Sequence, residues 1–129
     1  PECSQPLATE ELRTANRKRT LEHEMLEDLF TLTDRVDSGR IRFMENGLEM
    51  EDVSCDTLSL KEGEPLSLKV RCERSAGIGR GDWQCRADAS GTMSATSENF
   101  EVTSKLEVFE EEQRIFFRTW DFQVSRNGV

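Results

Sequence analysis

The fold is decided by residues 40–53, which read Arg-Ile-Arg-Phe-Met-Glu-Asn-Gly-Leu-Glu-Met-Glu-Asp-Val. Apolar and charged side chains alternate on both sides of Asn46-Gly47, and Asn-Gly accepts the positive φ angles that a two-residue hairpin turn requires. Folding about this turn sets Phe43 opposite Met50 on one face and Arg42 opposite Glu51 on the other. The segment therefore predicts an antiparallel hairpin with one apolar and one charged face.

The chain downstream repeats this pattern. A second hairpin is predicted through Leu58 and Leu60, with a turn at residues 62–65 and a return strand through residues 66–72. Residues 77–82 are expected to form the next turn, and the small polar residues 88–98 a mobile loop. The last hairpin is centred on Glu112 and its register follows from the alternation. Its predicted pairs are Val108 with Phe116, Leu106 with Arg118, Ser104 with Trp120, Val102 with Phe122, and Phe100 with Val124.

The chain upstream predicts a helix. Five apolar residues recur at spacings of 4, 4, 3 and 4, which match one stripe of an α-helix: Leu21, Met25, Leu29, Leu32 and Val36. Thr9 with two following acids is a suitable N-cap, and Gly39 is a suitable stop. We therefore expect an extended arm over residues 1–8 and a helix over residues 9–37.

Together these segments predict one α+β domain over residues 1–129. One long N-terminal helix would pack on a curved antiparallel sheet of about five to six strands over residues 40–126. This layout resembles the cystatin architecture. The Gln-x-Val-x-Gly hairpin motif of those inhibitors is absent, so the resemblance implies no protease-binding role.

Composition limits the function further. The 129 residues carry 17 basic and 26 acidic side chains, a formal charge of -9, which disfavours nucleic acid as a partner because phosphate binding needs a basic face. Apolar runs are far shorter than the roughly 20 residues of a membrane span. The predicted class is a single acidic domain without a membrane span.

The four cysteines, Cys3, Cys55, Cys72 and Cys85, contain no C-x-x-C pair, so disulfides are favoured over zinc. We favour Cys55–Cys72 with Cys3–Cys85, while Cys72–Cys85 with Cys3–Cys55 stays open. Four reduced cysteines that pack as small hydrophobes are the other possibility. Together with a first residue that is Pro rather than Met, which suggests a removed leader, the even cysteine number predicts an extracytoplasmic protein, secreted or periplasmic.

Catalytic patterns are missing from the sequence. The lone His23 lies between two glutamates and has no visible nucleophile partner. The acidic residues 110–112 suit a charged hairpin tip better than a calcium site. We therefore expect a protein that is not an enzyme and uses no cofactor or metal.

The segment 75–82, Ser-Ala-Gly-Ile-Gly-Arg-Gly-Asp, predicts a glycine-rich hairpin tip. Ile78 and Arg80 would lie at its apex, with Asp82 and Trp83 beside them, as the contact residues for a partner. The leading hypothesis is a non-catalytic extracytoplasmic binding or inhibitory module for a protein, with a basic partner favoured by the acidic charge. The alternatives are a structural component of a secreted or envelope assembly and a small hydrophobic-ligand carrier.

Overall fold

A computed structural model describes residues 3–128, and in this range the chain forms β-strands and no helix. All the strands belong to one antiparallel sheet. Their bounds are β1 Thr9–Arg13, β2 Asn16–Glu24, β3 Leu29–Phe43, β4 Glu49–Lys61, β5 Glu64–Arg80, β6 Trp83–Ala95, β7 Asn99–Glu110 and β8 Gln113–Ser125.

The sheet is a meander with one variation at its start. From β3 to β8, each strand pairs with the next one along the chain. The outer edge of β3 is covered by two short strands placed end to end, with β2 opposite residues 29–37 and β1 opposite residues 40–43. Because the sheet is a single layer, no large apolar side chain within residues 3–128 is fully buried.

The predicted fold class is wrong: the expected helix over residues 9–37 is absent, and eight strands replace the expected five to six. The apolar stripe belongs to a hairpin, in which Leu21 of β2 lies opposite Leu32 of β3. Met25 and Leu26 fall in the turn between these strands and are 77% and 94% exposed. The helical spacing arose because the turn interrupts two alternating strands, and the cystatin-like layout falls with the helix.

The hairpin of residues 40–53 is confirmed, with a register two residues from the predicted one. Met50 pairs with Ile41 and Arg42 pairs with Glu49, because the connection is a five-residue loop closed by a hydrogen bond from Gly47 N–H to Phe43 O of 2.8 Å. A register shift of two residues keeps every side chain on its predicted face. Phe43 and Met50 therefore share the apolar face.

The last hairpin is confirmed pair by pair, from Val108 with Phe116 to Phe100 with Val124. The second hairpin is also confirmed, and its turn lies between Lys61 and Glu64. The mobile loop expected over residues 88–98 is wrong, since β6 runs to Ala95 and only residues 96–98 form the turn. Small side chains in this strand lie between two neighbouring strands and gain their order from pairing on both sides.

Gly39, expected to end a helix, lies in a bulge of β3. The register with β4 shifts between Asp37 and Arg40, and the Asp37 carboxylate accepts a hydrogen bond from Gly39 N–H at 2.9 Å. The φ angle of Gly39 is 80°, a conformation that glycine adopts without strain. The bulge makes room for the chain to pass from β1 to β2, because the carbonyl of Arg13 lies directly against Gly39.

Candidate functional site

The two faces of the sheet differ in chemistry. Residues paired across neighbouring antiparallel strands point to the same face, so the register assigns every side chain. One face, called here the apolar face, carries a row that crosses the sheet from β2 to β8: Leu21, Leu32, Leu58, Val70, Met93, Val102 and Phe122. This apolar row places one large hydrophobic side chain on each of seven neighbouring strands.

A trough of about 710 Å³ lies on the same face at the other end of the strands. Its volume is in the range of small-molecule sites, which is about 300–1,000 Å³. Its apolar lining comes from five neighbouring strands: Ile41, Phe43, Met50, Ala76, Ile78, Cys85, Ala87 and Val108. The alanines form the floor where larger side chains would fill the space.

Charged side chains between the row and the trough neutralise one another. Arg17 and Arg19 both hydrogen-bond to Asp34, and these bonds lower the pKa of the Asp34 carboxyl to about 2. Arg74 pairs with Asp56 at 2.8 Å and likewise lowers the pKa of Asp56. The apolar face therefore presents paired charges within a hydrophobic surface.

Cys72 lies beside this charged strip, opposite Asp56. Burial raises the pKa of its thiol, and the hydrogen bond with Asp56 raises it further. A nucleophilic cysteine needs the opposite shift, because the thiolate is the reactive form. Cys72 is therefore held as a neutral thiol.

The opposite face, called the ion-pair face, is covered by salt bridges that are half-buried or exposed. Arg40 and Arg42 both bind Glu49 and lower the pKa of its carboxyl. Similar pairs continue across the sheet: Arg13 with Asp37 and Glu51, Arg71 with Glu73, Arg86 with Asp88, and Glu107 with Lys105 and Arg114. Exposed pairs contribute little stability, but they suit a surface in contact with water.

The predicted contact residues do not form a flexible tip. Residues 75–80 belong to β5, and only Gly81-Asp82 form the turn. Ile78 lines the trough, whereas Arg80 and Trp83 lie opposite each other at the strand ends. Asp82 lies in the turn. Ile78 thus belongs to the apolar face, whereas Arg80, Asp82 and Trp83 lie at its margin.

All four cysteines, which lie within the described residues, are free, so the predicted disulfides are not found. Cys55 pairs with Glu73, and Cys72 pairs with Asp56. Cys55 and Cys72 are therefore on adjacent strands but point to opposite faces, which the geometry of a disulfide does not allow. The alternative Cys72–Cys85 fails because Cys72 pairs with Gly91, while Cys85 pairs with Ile78 six residues further along β5.

His23 falls within residues 9–37, where a helix was expected. It lies on β2, where its ring stacks on Phe30 with centroids 4.1 Å apart, and its Nε2 is 3.2 Å from a carboxylate oxygen of Asp28. Over residues 3–128, no three His, Cys, Asp or Glu side chains are grouped so that they could hold a metal ion. A helix with the length and hydropathy to cross a membrane is not found in that range either.

Three members of the apolar row, Leu21, Leu32 and Met93, were not predicted to lie on strands. Leu21 and Leu32 were assigned to a helix, Ala76 to a hairpin tip, and Met93 to a loop. A weak signal was present in residues 31–36, where the β-branched residues Thr31, Thr33 and Val36 favour a strand. The charged Asp34 interrupts the apolar–polar alternation there.

Comparison of the chain with protein-family models, with curated proteins and with solved structures finds no match.

Proposed function

We propose that this chain is a non-catalytic module that binds a protein partner through its apolar face. The observation that carries this proposal is the exposed apolar row, whose members at the two ends, Leu21 and Phe122, are 68% and 53% exposed. Apolar rows of this length are normally covered, since contiguous exposed hydrophobic surface marks an interaction site.

The surface area supports a partner of protein size. A compact monomer of 14.8 kDa is expected to expose roughly 7,000 Å², whereas this chain exposes 9648 Å². The excess of about 2,700 Å² is well above the roughly 800 Å² that each side buries in a standard protein interface. A small ligand in the trough would leave the apolar row uncovered.

The charges favour a particular kind of partner. On the apolar face, arginines of the same chain neutralise the carboxylates of Asp34 and Asp56. The contact between this face and its partner is therefore hydrophobic. The formal charge of -9 acts at longer range and favours a partner whose docking surface is apolar and bordered by basic residues. Association with such a partner is expected to slow as the salt concentration rises.

Site-specific photo-cross-linking in the native host tests the proposal. Met93 and Ser94 are consecutive on β6 and point to opposite faces, so a cross-linker at each position forms a matched pair. We expect Met93 to yield one defined protein adduct and Ser94 none. Equal adducts from both positions would contradict docking on the apolar face.

The purified partner then allows a quantitative test. Met93→Glu should weaken its binding by tenfold or more, because a charge would enter a hydrophobic contact. Ser94→Glu adds the same charge to the other face and should change binding little. Binding that is insensitive to salt would remove the argument for a basic partner.

The trough favours a second candidate function, a carrier of a small hydrophobic ligand. A cross-linker at Ile78, which lines the trough, separates the two candidates. A small-molecule adduct at Ile78 without a protein adduct at Met93 would indicate a carrier, and protein adducts at both positions would indicate docking. The extracytoplasmic location also remains a proposal, and fractionation of the host followed by immunodetection tests it.

A further inference from the structure

The last strand leaves an unusual edge on the sheet. β8 spans 13 residues and pairs only with β7, so its outer backbone groups have no strand beside them. It contains neither lysine nor proline, and its charged residues are Arg114, Arg118 and Asp121. Several of its large apolar side chains are about half exposed: Ile115, Phe116, Phe117, Phe122 and Val124.

The opposite edge is different. β2 reads Asn-Arg-Lys-Arg-Thr-Leu-Glu-His-Glu, and β1 is only five residues long. Short strands and frequent charges are the usual means by which proteins keep sheet edges from pairing. Among the described strands, only the β8 edge is both long and poor in charges. Its one β-bulge lies next to Ile115, near the start of the strand, and its register with β7 is regular from Phe116 to Ser125. This regular stretch points to a strand that adds to it.

We propose that the β8 edge binds the β8 strand of a second copy of this chain, antiparallel, across a twofold axis at Thr119. The axis follows from the length of the strand, because Thr119 is the middle residue of Gln113–Ser125 and gives full overlap. From Phe116 to Phe122, where the β7–β8 register is regular, the even-numbered residues of one copy then lie opposite even-numbered residues of the other, all on the apolar face. The apolar faces of both copies therefore lie on one side of a continuous sheet.

The side chains fit this register. Phe116 lies opposite Phe122 of the second copy, and Arg118 lies opposite Trp120 of the second copy. Within one chain the Arg118 guanidinium is already 5.0 Å from the Trp120 ring centroid, so the dimer repeats a favourable cation–π contact. Like charges are nowhere opposed. A shift of the axis to Arg118 would shorten the overlap and place two arginines face to face, which is unfavourable.

The dimer would also join the two hydrophobic regions described above. Phe122 ends the apolar row of one copy, and Phe116 lies next to Val108 in the trough of the other. The row of each copy would continue into the trough of its neighbour. This dimer goes beyond the proposed binding function and does not depend on the partner proposed for it.

Sedimentation velocity of two double variants tests the pairing and its register. Phe116→Lys with Phe122→Lys opposes two lysines at each of two symmetric positions, whereas Phe116→Lys with Phe122→Glu opposes lysine and glutamate there. Both variants lose the same phenylalanines, and the two positions are too far apart along β8 to interact within one chain. We expect the wild-type chain to dimerise and the Lys/Glu variant to dimerise at least about tenfold more tightly than the Lys/Lys variant.

A wild-type chain that sediments as a monomer up to millimolar concentration would overturn the proposal. Equal dimerisation of the two variants would overturn the register. If the variants do not fold, hydrogen exchange of the wild-type chain supplies the test. Amides of β8 should become more protected as the concentration rises, while amides of β2 should not, and unchanged protection of β8 would reject the dimer.

Discussion

Gly39→Ala should destabilise the sheet more than the same substitution at Gly63 or Gly91. A non-glycine residue at a φ of 80° costs about 1–2 kcal/mol. A Cβ atom at this position would also overlap the Arg13 carbonyl oxygen and lie 3.0 Å from the Ala15 backbone nitrogen. Backbone atoms yield only if the β1–β2 junction moves, which adds about 1–3 kcal/mol. The expected loss in the free energy of unfolding is therefore about 2–5 kcal/mol.

Two other glycines provide matched controls. Gly63 has a φ of 74°, but a Cβ there would meet no atom within 4 Å, so Gly63→Ala should lose only the backbone cost of about 1–2 kcal/mol. Gly91 lies within β6, and its added Cβ would be at an ordinary 3.6 Å from the Thr103 carbonyl oxygen. Gly91→Ala should be neutral or stabilising by up to about 1 kcal/mol.

Urea unfolding followed by far-ultraviolet circular dichroism measures these differences, and hydrogen exchange locates them. Gly39→Ala should expose the amides of β1 and β2 before those of the other strands. If Gly39→Ala and Gly63→Ala lose the same stability within error, the chain does not cross the bulge at Arg13 as described. The account of the β1–β2 junction would then be refuted.

Three further predictions concern charge, thiols and the apolar face. The pKa of Asp34 is lowered from 3.8 to about 2 by its two arginines, so its contribution to stability is complete above pH 3.8 and is lost as the pH falls through about 2. An NMR titration of the carboxyl should show this value, and a normal pKa would contradict the ion pair. Mild oxidation should produce no Cys55–Cys72 bridge in peptide maps, because the two side chains are on opposite faces. An apolar fluorescent dye should bind the wild-type chain. Ile78→Glu should reduce this binding several-fold, and Ser94→Glu should leave it unchanged. Equal losses in the two variants would argue against the trough as the dye site.

The sequence predicted hairpins correctly where apolar–polar alternation and a turn signal indicated the same hairpin. The β7–β8 hairpin was predicted pair by pair, since apolar side chains alternate from Phe100 to Val108 and again on the return strand. At Asn46-Gly47 the turn was placed correctly, but the loop was longer than two residues and shifted the register. Turn signals thus locate a hairpin more reliably than they set its pairing.

The N-terminal third was not predictable in the same way. The turn at residues 25–28 contains Met25, which completed an apparent helical stripe between Leu21 and Leu29. The small residues of β6 are too weakly hydrophobic for their alternation to indicate a strand. The trough depends on five strands in register at once, and such non-local geometry has no counterpart in a local sequence pattern.

The meander gives the chain an almost one-dimensional organisation. From β4 onward each strand contacts only the strands before and after it in sequence, as repeats do in a solenoid protein. Stability in such arrays is approximately the sum of each unit and its neighbour interfaces, and folding can start at any hairpin and spread in both directions. Strands at the ends of the array open first, while β5 and β6 in its interior open last. The same organisation means that a hairpin can be gained or lost at the β8 end with little effect on the strands that remain.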